Sequence, residues 1–426
     1  MSRRRASVAA SAITLAALLT LVGCTPPSSP SPSPSAAPTT AAPTPEPYAG
    51  PLLFVGDDLD AFALTADEIT ATFPGASDVG DLLPELEQIS DGGAPDPVPA
   101  ICWAPIVEQS LWSVAARTST WSTPVPPMRG AQQVLQFGAE EQAAGRMDQL
   151  LSAAAQCGQF EFDGPATFLT ATADEVDGVR ALAGVVDGGD EQYDVRMLVA
   201  YAQVGKVLVT AFQPFEGEPT FDPAAAAALL RDRAVEARTA LVEKLTDEPP
   251  ATPEPEQTAD PAAPWSEWRI TTGGIGPVRI GDDMKQALAA VSAADIVEPE
   301  FEGGTWKAVA DDGVSTLFVQ PSPDGTTVAA VIAGAEYSHD GIVHDGAALP
   351  AAGEVRIGAL VEEARSAYPG GTTTHVVASG EDFYDVATRD GRLLRFRADR
   401  DAADPAAAII GITVEDATVR RPLTFG

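Results

Sequence analysis

At 426 residues the chain is long enough for two or three domains, and its 45% hydrophobic share is enough to give them packed cores. The 61 Asp and Glu against 26 Lys and Arg leave a formal net charge of −35, which excludes nucleic acid as a partner, because that partner needs a basic footprint. The same charge repels anionic lipid headgroups, so attachment to a membrane through a basic surface is excluded as well.

Residues 1–23 have the three-part layout of a secretory signal: Arg3, Arg4 and Arg5, an apolar run over residues 8–22, and small residues before a cysteine. The run falls short of the about 20 apolar residues that a bilayer span needs. Leu21-Val22-Gly23-Cys24 resembles the bacterial lipobox. That resemblance implies cleavage before Cys24, acylation of its sulfur with palmitate-class chains, and a lipoprotein on the extracytoplasmic face of the cell membrane. Residues 24–47 are almost all Pro, Ser, Thr and Ala; they cannot build a core and read as a semi-extended tether at roughly 3 Å per residue. A second Pro-rich stretch, residues 247–264, reads as a linker between a domain at 48–246 and a domain at 265–426. Both domains are expected to be α+β, each an antiparallel sheet with packed helices.

In the first domain, Thr65-Ala66-Asp67-Glu68 has the spacing of a capping box, and the helix it opens should stop before Pro74-Gly75. Residues 111–120 predict a strand with Trp112, Val114 and Ala116 on one face, and residues 132–137 another. A helix follows over 139–155, with Ala143, Met147, Leu150 or Leu151, and Ala154 as the buried stripe that delivers Cys157. Runs at 159–162, 167–172, 179–186, 194–203 and 206–212, with turns at Asp187-Gly188-Gly189-Asp190 and Val204-Gly205, predict an antiparallel meander. The domain closes with a helix over 223–245, capped by Asp222 and started by Pro223, whose core stripe is Leu230, Ala234, Ala237, Leu241 and Leu245.

With Cys24 assigned to lipid, Cys102 and Cys157 remain as an even pair, and outside the cytoplasm two such thiols form a disulfide. Leu64-Thr65-Ala66-Asp67-Glu68-Ile69, a cysteine beside Pro99, a helix ending in Gln156-Cys157, and Val207-Leu208-Val209-Thr210 before an Ala-rich helix together resemble the PknH-like extracellular sensor domain over residues 55–245. The resemblance implies an α+β domain outside the membrane with a ligand cleft. Family members commonly carry two disulfides, whereas this chain can make one.

The second domain contains a tandem repeat. Pro277-Val278-Arg279-Ile280-Gly281 followed by Met284-Lys285-Gln286-Ala287-Leu288 is echoed by Glu354-Val355-Arg356-Ile357-Gly358 followed by Val361-Glu362-Glu363-Ala364-Arg365. Each copy reads as a short strand, a turning glycine and an amphipathic helix, followed by strands at 315–320 and 327–333 in the first copy and at 383–388, 392–398 and 408–414 in the second. A helix on one sheet face leaves the other face open. The arrangement resembles the repeats of beta-lactamase-inhibitor proteins and BamE-type assembly lipoproteins, which implies a protein-binding surface.

Chemistry-bearing motifs are sparse. Ser338-His339-Asp340 names catalytic residue types, but sequence neighbours point in alternating directions and cannot form a relay. His339-Asp340 and His344-Asp345 lack the Cys/His spacing of a zinc site, so no metal is expected. Among the paired acids, Asp282-Asp283 and Glu140-Glu141 suit helix starts. With no nucleophile elbow, phosphate loop or dinucleotide fingerprint, no cofactor and no enzyme activity are expected. Trp112 is expected in the core, while Trp103 beside Cys102 and Trp121 before a Pro-rich bend are candidate ligand contacts. The sequence therefore reads as a membrane-anchored lipoprotein that binds an envelope ligand through its first domain and an envelope protein through its repeat domain. The rivals are a protein-binding inhibitor or assembly factor with no small ligand, and a hydrolase that uses paired carboxylates.

Overall fold

The computed structural model describes residues 46–50, 52–89, 96–189, 195–250, 259–292, 294–338 and 344–420. Cys24, the leader and the tether up to residue 45 lie outside the described residues, as do His339 and residues 251–258 of the 247–264 stretch. Helix α1 (Ala66–Thr72) starts where the capping box places it: Glu68 Oε2 accepts from the Thr65 N–H at 2.7 Å, and Thr65 Oγ1 accepts from the Glu68 N–H at 3.3 Å.

The next elements are β1 (Glu85–Gln88), β2 (Ala115–Ser122), β3 (Arg129–Gln136), α2 (Glu140–Gln156), β4 (Phe160–Glu161), β5 (Pro165–Val176), β6 (Val179–Gly188), β7 (Val195–Val204), β8 (Val207–Pro214) and α3 (Pro223–Asp247). Seven strands form one antiparallel sheet in the order β2-β3-β8-β7-β6-β5-β4, in which β5 to β8 are the expected meander. The sheet lies between two helices. On the α3 side, small residues such as Ala181, Ala183, Ala200, Ala202 and Ala211 pack in one core with Leu230, Ala234, Ala237, Leu241 and Leu245. Asp222 caps α3 by accepting from the N–H groups of Ala224 and Ala225 at 3.0 and 3.2 Å. On the α2 side, Leu182, Val186, Val199 and Tyr201 pack with Met147, Leu150 and Ala153. The buried stripe of α2 thus runs through Ala153 rather than Ala154.

Strand β2 begins at Ala115, not at residue 111. A turn closed by the Ser113 N–H and hydroxyl, both donating to the Ser110 carbonyl, puts Trp112 in the left-handed region at φ 71° and leaves it 51% exposed. The expectation that Trp112 packs in the core is corrected on that ground.

Beyond α3 come β9 (Arg269–Thr271), β10 (Gly274–Ile275), β11 (Val278–Arg279), α4 (Met284–Ala290), β12 (Ala294–Val297), β13 (Trp306–Ala310), β14 (Thr316–Pro321), β15 (Val328–Gly334), β16 (Ala351–Ala352), α5 (Val361–Ala367), β17 (Thr372–Val376), β18 (Glu381–Ala387), β19 (Arg392–Ala398) and β20 (Ile409–Asp416). The two short helices repeat at one offset, residue 284 matching 361 and residue 290 matching 367. Each is followed by a four-stranded meander. The meanders join through their last strands, β15 and β20, with Ile332 opposite Thr413, so the sheet order reads β17-β18-β19-β20-β15-β14-β13-β12. A small second sheet, β11-β10-β9-β16, covers one face together with α4 and α5, and that face holds the core of Trp268, Ile275, Leu317, Val331, Phe396 and Ile412.

The opposite face is not bare, as the sequence had suggested. Phe383 is buried there with the guanidinium carbons of Arg395 and Arg397 at 4.1 and 4.7 Å from its ring centroid, and Arg395 binds Asp385 with two hydrogen bonds of 2.7 and 2.8 Å. Leu393 and Ala417 pack against Val114 of the first half.

The two halves also share a sheet. Strand β1 adds to the edge of β17 in parallel, Glu85 opposite Thr373, which makes the large sheet nine-stranded. Thr372, fully buried on β17, accepts from the Ala116 N–H at 3.0 Å and donates to the Ala116 carbonyl at 3.2 Å. Arg389 donates to the Leu53 carbonyl and pairs with Asp58 at 3.3 Å. Glu46–Gly426 is accordingly one compact unit, α+β throughout, with five α-helices and three mainly antiparallel sheets among the described residues.

Candidate functional site

Cys102 and Cys157 form the expected disulfide, with their Cα atoms 5.7 Å apart. The bond ties a 3-10 turn at Ala100–Trp103 to the C-terminal end of α2, where Cys157 is the capping residue. The chain leaving that turn, residues 105–109, is tied to the sheet by one bond and braced locally by two. The Tyr201 hydroxyl donates to the Pro105 carbonyl at 3.2 Å, and the Gln109 side-chain amide donates to the carbonyls of Ala104 and Val107 at 2.7 and 2.8 Å.

Beneath this loop lies a cavity of about 180 Å³. Met197, Val199 and Phe212 from β7 and β8 line it with Ile106 and Val107 of the loop, while Gln133, Tyr201 and Thr210 add polar groups. Burial, with Glu108 nearby, pushes the Tyr201 phenol well above its ordinary value, so it stays a neutral hydroxyl at physiological pH. Burial lowers Arg146 to about 10, with Glu108 opposing the shift, and its Nη2 donates to the Leu111 carbonyl at 3.1 Å. The result is an apolar pocket with a few fixed hydrogen-bonding groups, which suits recognition of a small apolar moiety.

The candidate tryptophans divide. Trp103 is half-buried at the edge of the disulfide cluster, edge-on to Phe162 at 5.7 Å, with its indole N–H donating to Asp96 at 3.1 Å. Trp121 is 0% exposed, tilted against Phe73 at 5.3 Å, and its N–H donates to Gln213 Oε1 at 2.7 Å. A ring enclosed on all sides cannot meet a ligand, so that assignment of Trp121 is corrected. The residues that do line the cavity, Met197, Tyr201 and Phe212, escaped the sequence reading because they alternate like ordinary core positions. The one available signal was Thr210, a polar residue on the α2-facing side of the mainly apolar strand β8, with Gln133 opposite it on β3.

A larger, open cleft of about 640 Å³ lies where the halves meet, between Trp112 and the β14–β15 hairpin. Its wall is fixed by Arg420, which binds Glu415 at 2.6 and 2.7 Å and donates to the carbonyls of Trp112 and Ser113 at 3.0 and 3.2 Å. Burial would raise the Glu415 carboxyl, but Arg420 and Arg395 outweigh it and hold the group below its ordinary value. Gln142 of α2 donates to the carbonyls of Ala417 and Arg420 at 2.9 and 3.0 Å, which pins the turn from the other side.

Several of the chain's adjacent acids, Asp57, Asp58 and Asp283 among them, are engaged in structure. Asp58 pairs with Lys244 and Arg389, Asp57 with Arg117, and Asp283 caps α4 by accepting from the N–H groups of Lys285 and Gln286. His375 Nδ1 lies 2.9 Å from Asp382 on the neighbouring strand. No group of three His, Cys, Asp or Glu positioned for a metal occurs among the described residues, and no helix there is long and apolar enough to cross a membrane.

No protein-family model matches the chain, and no curated protein matches it. Among solved structures the chain is similar to the extracellular domain of PknH from Mycobacterium tuberculosis, at 12% sequence identity and a TM-score of 0.28, with 46% of this chain and 98% of that chain covered. At those values the likeness carries no argument about function.

Proposed function

We propose that the protein is a non-catalytic binding protein of the cell envelope, held at the extracytoplasmic face of the membrane by acyl chains on Cys24. In this reading its first half takes up an apolar part of an envelope-derived ligand. One observation carries the reading: a disulfide-anchored loop roofs an apolar cavity whose polar groups are few and fixed. A volume of about 180 Å³ is smaller than a whole-ligand pocket of about 300 Å³ or more, so the cavity suits a single ring or a short acyl segment.

Binding of an envelope protein is the second part of the reading, and a different feature supports it. Among the described residues strand β12 is an unpaired edge of the nine-stranded sheet, and it and the residues after it expose Val297 at 50% and Phe301 at 72%. An edge of that kind recruits a partner by strand addition.

The test of the first part uses residues 25–426, free of leader and anchor, titrated with the neutral fluorophore N-phenyl-1-naphthylamine, whose phenyl group is the single ring the cavity suits and whose emission rises in apolar sites. Saturable binding is expected, weakened at least tenfold by Met197→Trp, which fills the cavity from a half-buried position and leaves the circular dichroism spectrum unchanged. Absence of saturable binding, or equal binding by the variant, overturns the reading.

A further inference from the structure

The cleft beside Trp112 is separate from the loop-roofed cavity, and its chemistry is different. Trp112 is a large aromatic ring held half in solvent on a backbone at φ 71°, a conformation that costs energy for any residue with a Cβ. Arg420 holds that conformation through the carbonyls of Trp112 and Ser113, so the backbone that presents the exposed indole to the cleft is fixed.

The same cleft is lined by Asp324 and Asp416, carboxylates that accept through one oxygen only among the described residues. Asp324 Oδ1 accepts from the Ser322 hydroxyl at 2.6 Å, the Thr326 N–H at 3.0 Å and the Thr326 hydroxyl at 2.8 Å, while Oδ2 is left for another donor. These bonds, that of Ser322 first, hold the carboxyl down to about 2, so it is an acceptor at any physiological pH. Asp416 repeats the arrangement, with Oδ1 accepting from the N–H and hydroxyl of Thr418 at 3.0 and 2.5 Å. Gln320 and Glu302 complete the polar lining.

We infer that this cleft binds a glycan, with the apolar face of a pyranose ring laid on the Trp112 indole and its hydroxyls donating to Asp324, Asp416 and Glu302. A flat aromatic surface beside several fixed acceptors matches a sugar ring, which has one C–H face and a rim of O–H donors. The sign of the charge narrows the class to neutral or amino sugars. Arg420, the cation in the lining, is spent on Glu415 and on backbone carbonyls, so an anionic glycan would meet Glu302, Asp324 and Asp416 with nothing to offset them.

The test is calorimetric titration of the full-length chain with chitotriose and, separately, maltotriose. At least one should bind, with a shift in tryptophan emission. Trp112→Ala should weaken that binding at least tenfold and Asp324→Asn severalfold, with the affinity for N-phenyl-1-naphthylamine unchanged in both. Alanine keeps a Cβ, so the backbone at residue 112 carries the same strain and the fold is retained. Failure of both saccharides to bind, or saccharide binding indifferent to Trp112→Ala, overturns the inference. So does tight, salt-sensitive binding of hexalysine in their place, because that would make the cleft a cation site.

Discussion

Trp121 carries its only polar atom into the core, and Gln213 is what makes that tolerable. The amide accepts from the indole N–H at 2.7 Å and donates to the Pro74 carbonyl at 2.8 Å. Gln213→Leu removes both and leaves a buried donor unpaired, so it should cost about 1–3 kcal/mol, read as a lower urea midpoint at unchanged slope. A midpoint equal to that of the wild type would contradict this account of the core. Gly130 belongs to the same site: a Cβ there would collide with the indole. None of this was legible at Trp121 itself, whose neighbours are polar and whose next turn is Pro-rich. Trp112 misled in the opposite direction, because its alternation with Val114 and Ala116 is real in the sequence but is cut by the turn at Ser110–Ser113. What a tryptophan touches is set by residues far along the chain, and a local pattern reports only which side it would face if the strand reached it.

At the scale of elements, the features set by local chemistry were legible. The caps at Thr65, Asp222 and Asp283 each satisfy backbone donors within three residues, and the helices start where those residues stand. The repeat was legible too, because both copies keep the same spacing. Strand β1 was not: Glu-Leu-Glu-Gln has a single buried apolar residue, and its pairing is parallel, to a strand of the other half. That strand covers the edge of β17, while Ser77 and Leu83 bridge to Ser122 and Thr118 on the edge of β2, so edges that would otherwise be open are closed. The consequence can be measured. If a specific protease site replaces residues 251–258 and is cut, the two fragments should co-elute on size exclusion in buffer and separate only in denaturant. Two separate peaks in buffer would contradict the shared sheet.

Over the whole molecule, the Pro-rich stretch suggested two bodies, but composition says nothing about whether two folded regions then pack together. The last strands of the two repeat copies likewise meet by symmetry, and no short motif encodes that meeting. Binding sites of this kind are hard to read from sequence for a related reason: each is assembled from segments that are individually unremarkable, such as the 105–109 loop over β7 and β8, or Trp112 against the β14–β15 hairpin. The strongly acidic composition, at a net charge of −35, opposes close approach to anionic headgroups. In the proposed function the protein acts by holding an apolar group under the disulfide-anchored loop. Native mass spectrometry of residues 25–426, after incubation with a lipid extract of the organism's own envelope, tests it most directly. The wild type should carry a one-to-one adduct that is missing from Met197→Trp; no adduct on either protein, or the same adduct on both, would mean that the cavity holds no such group.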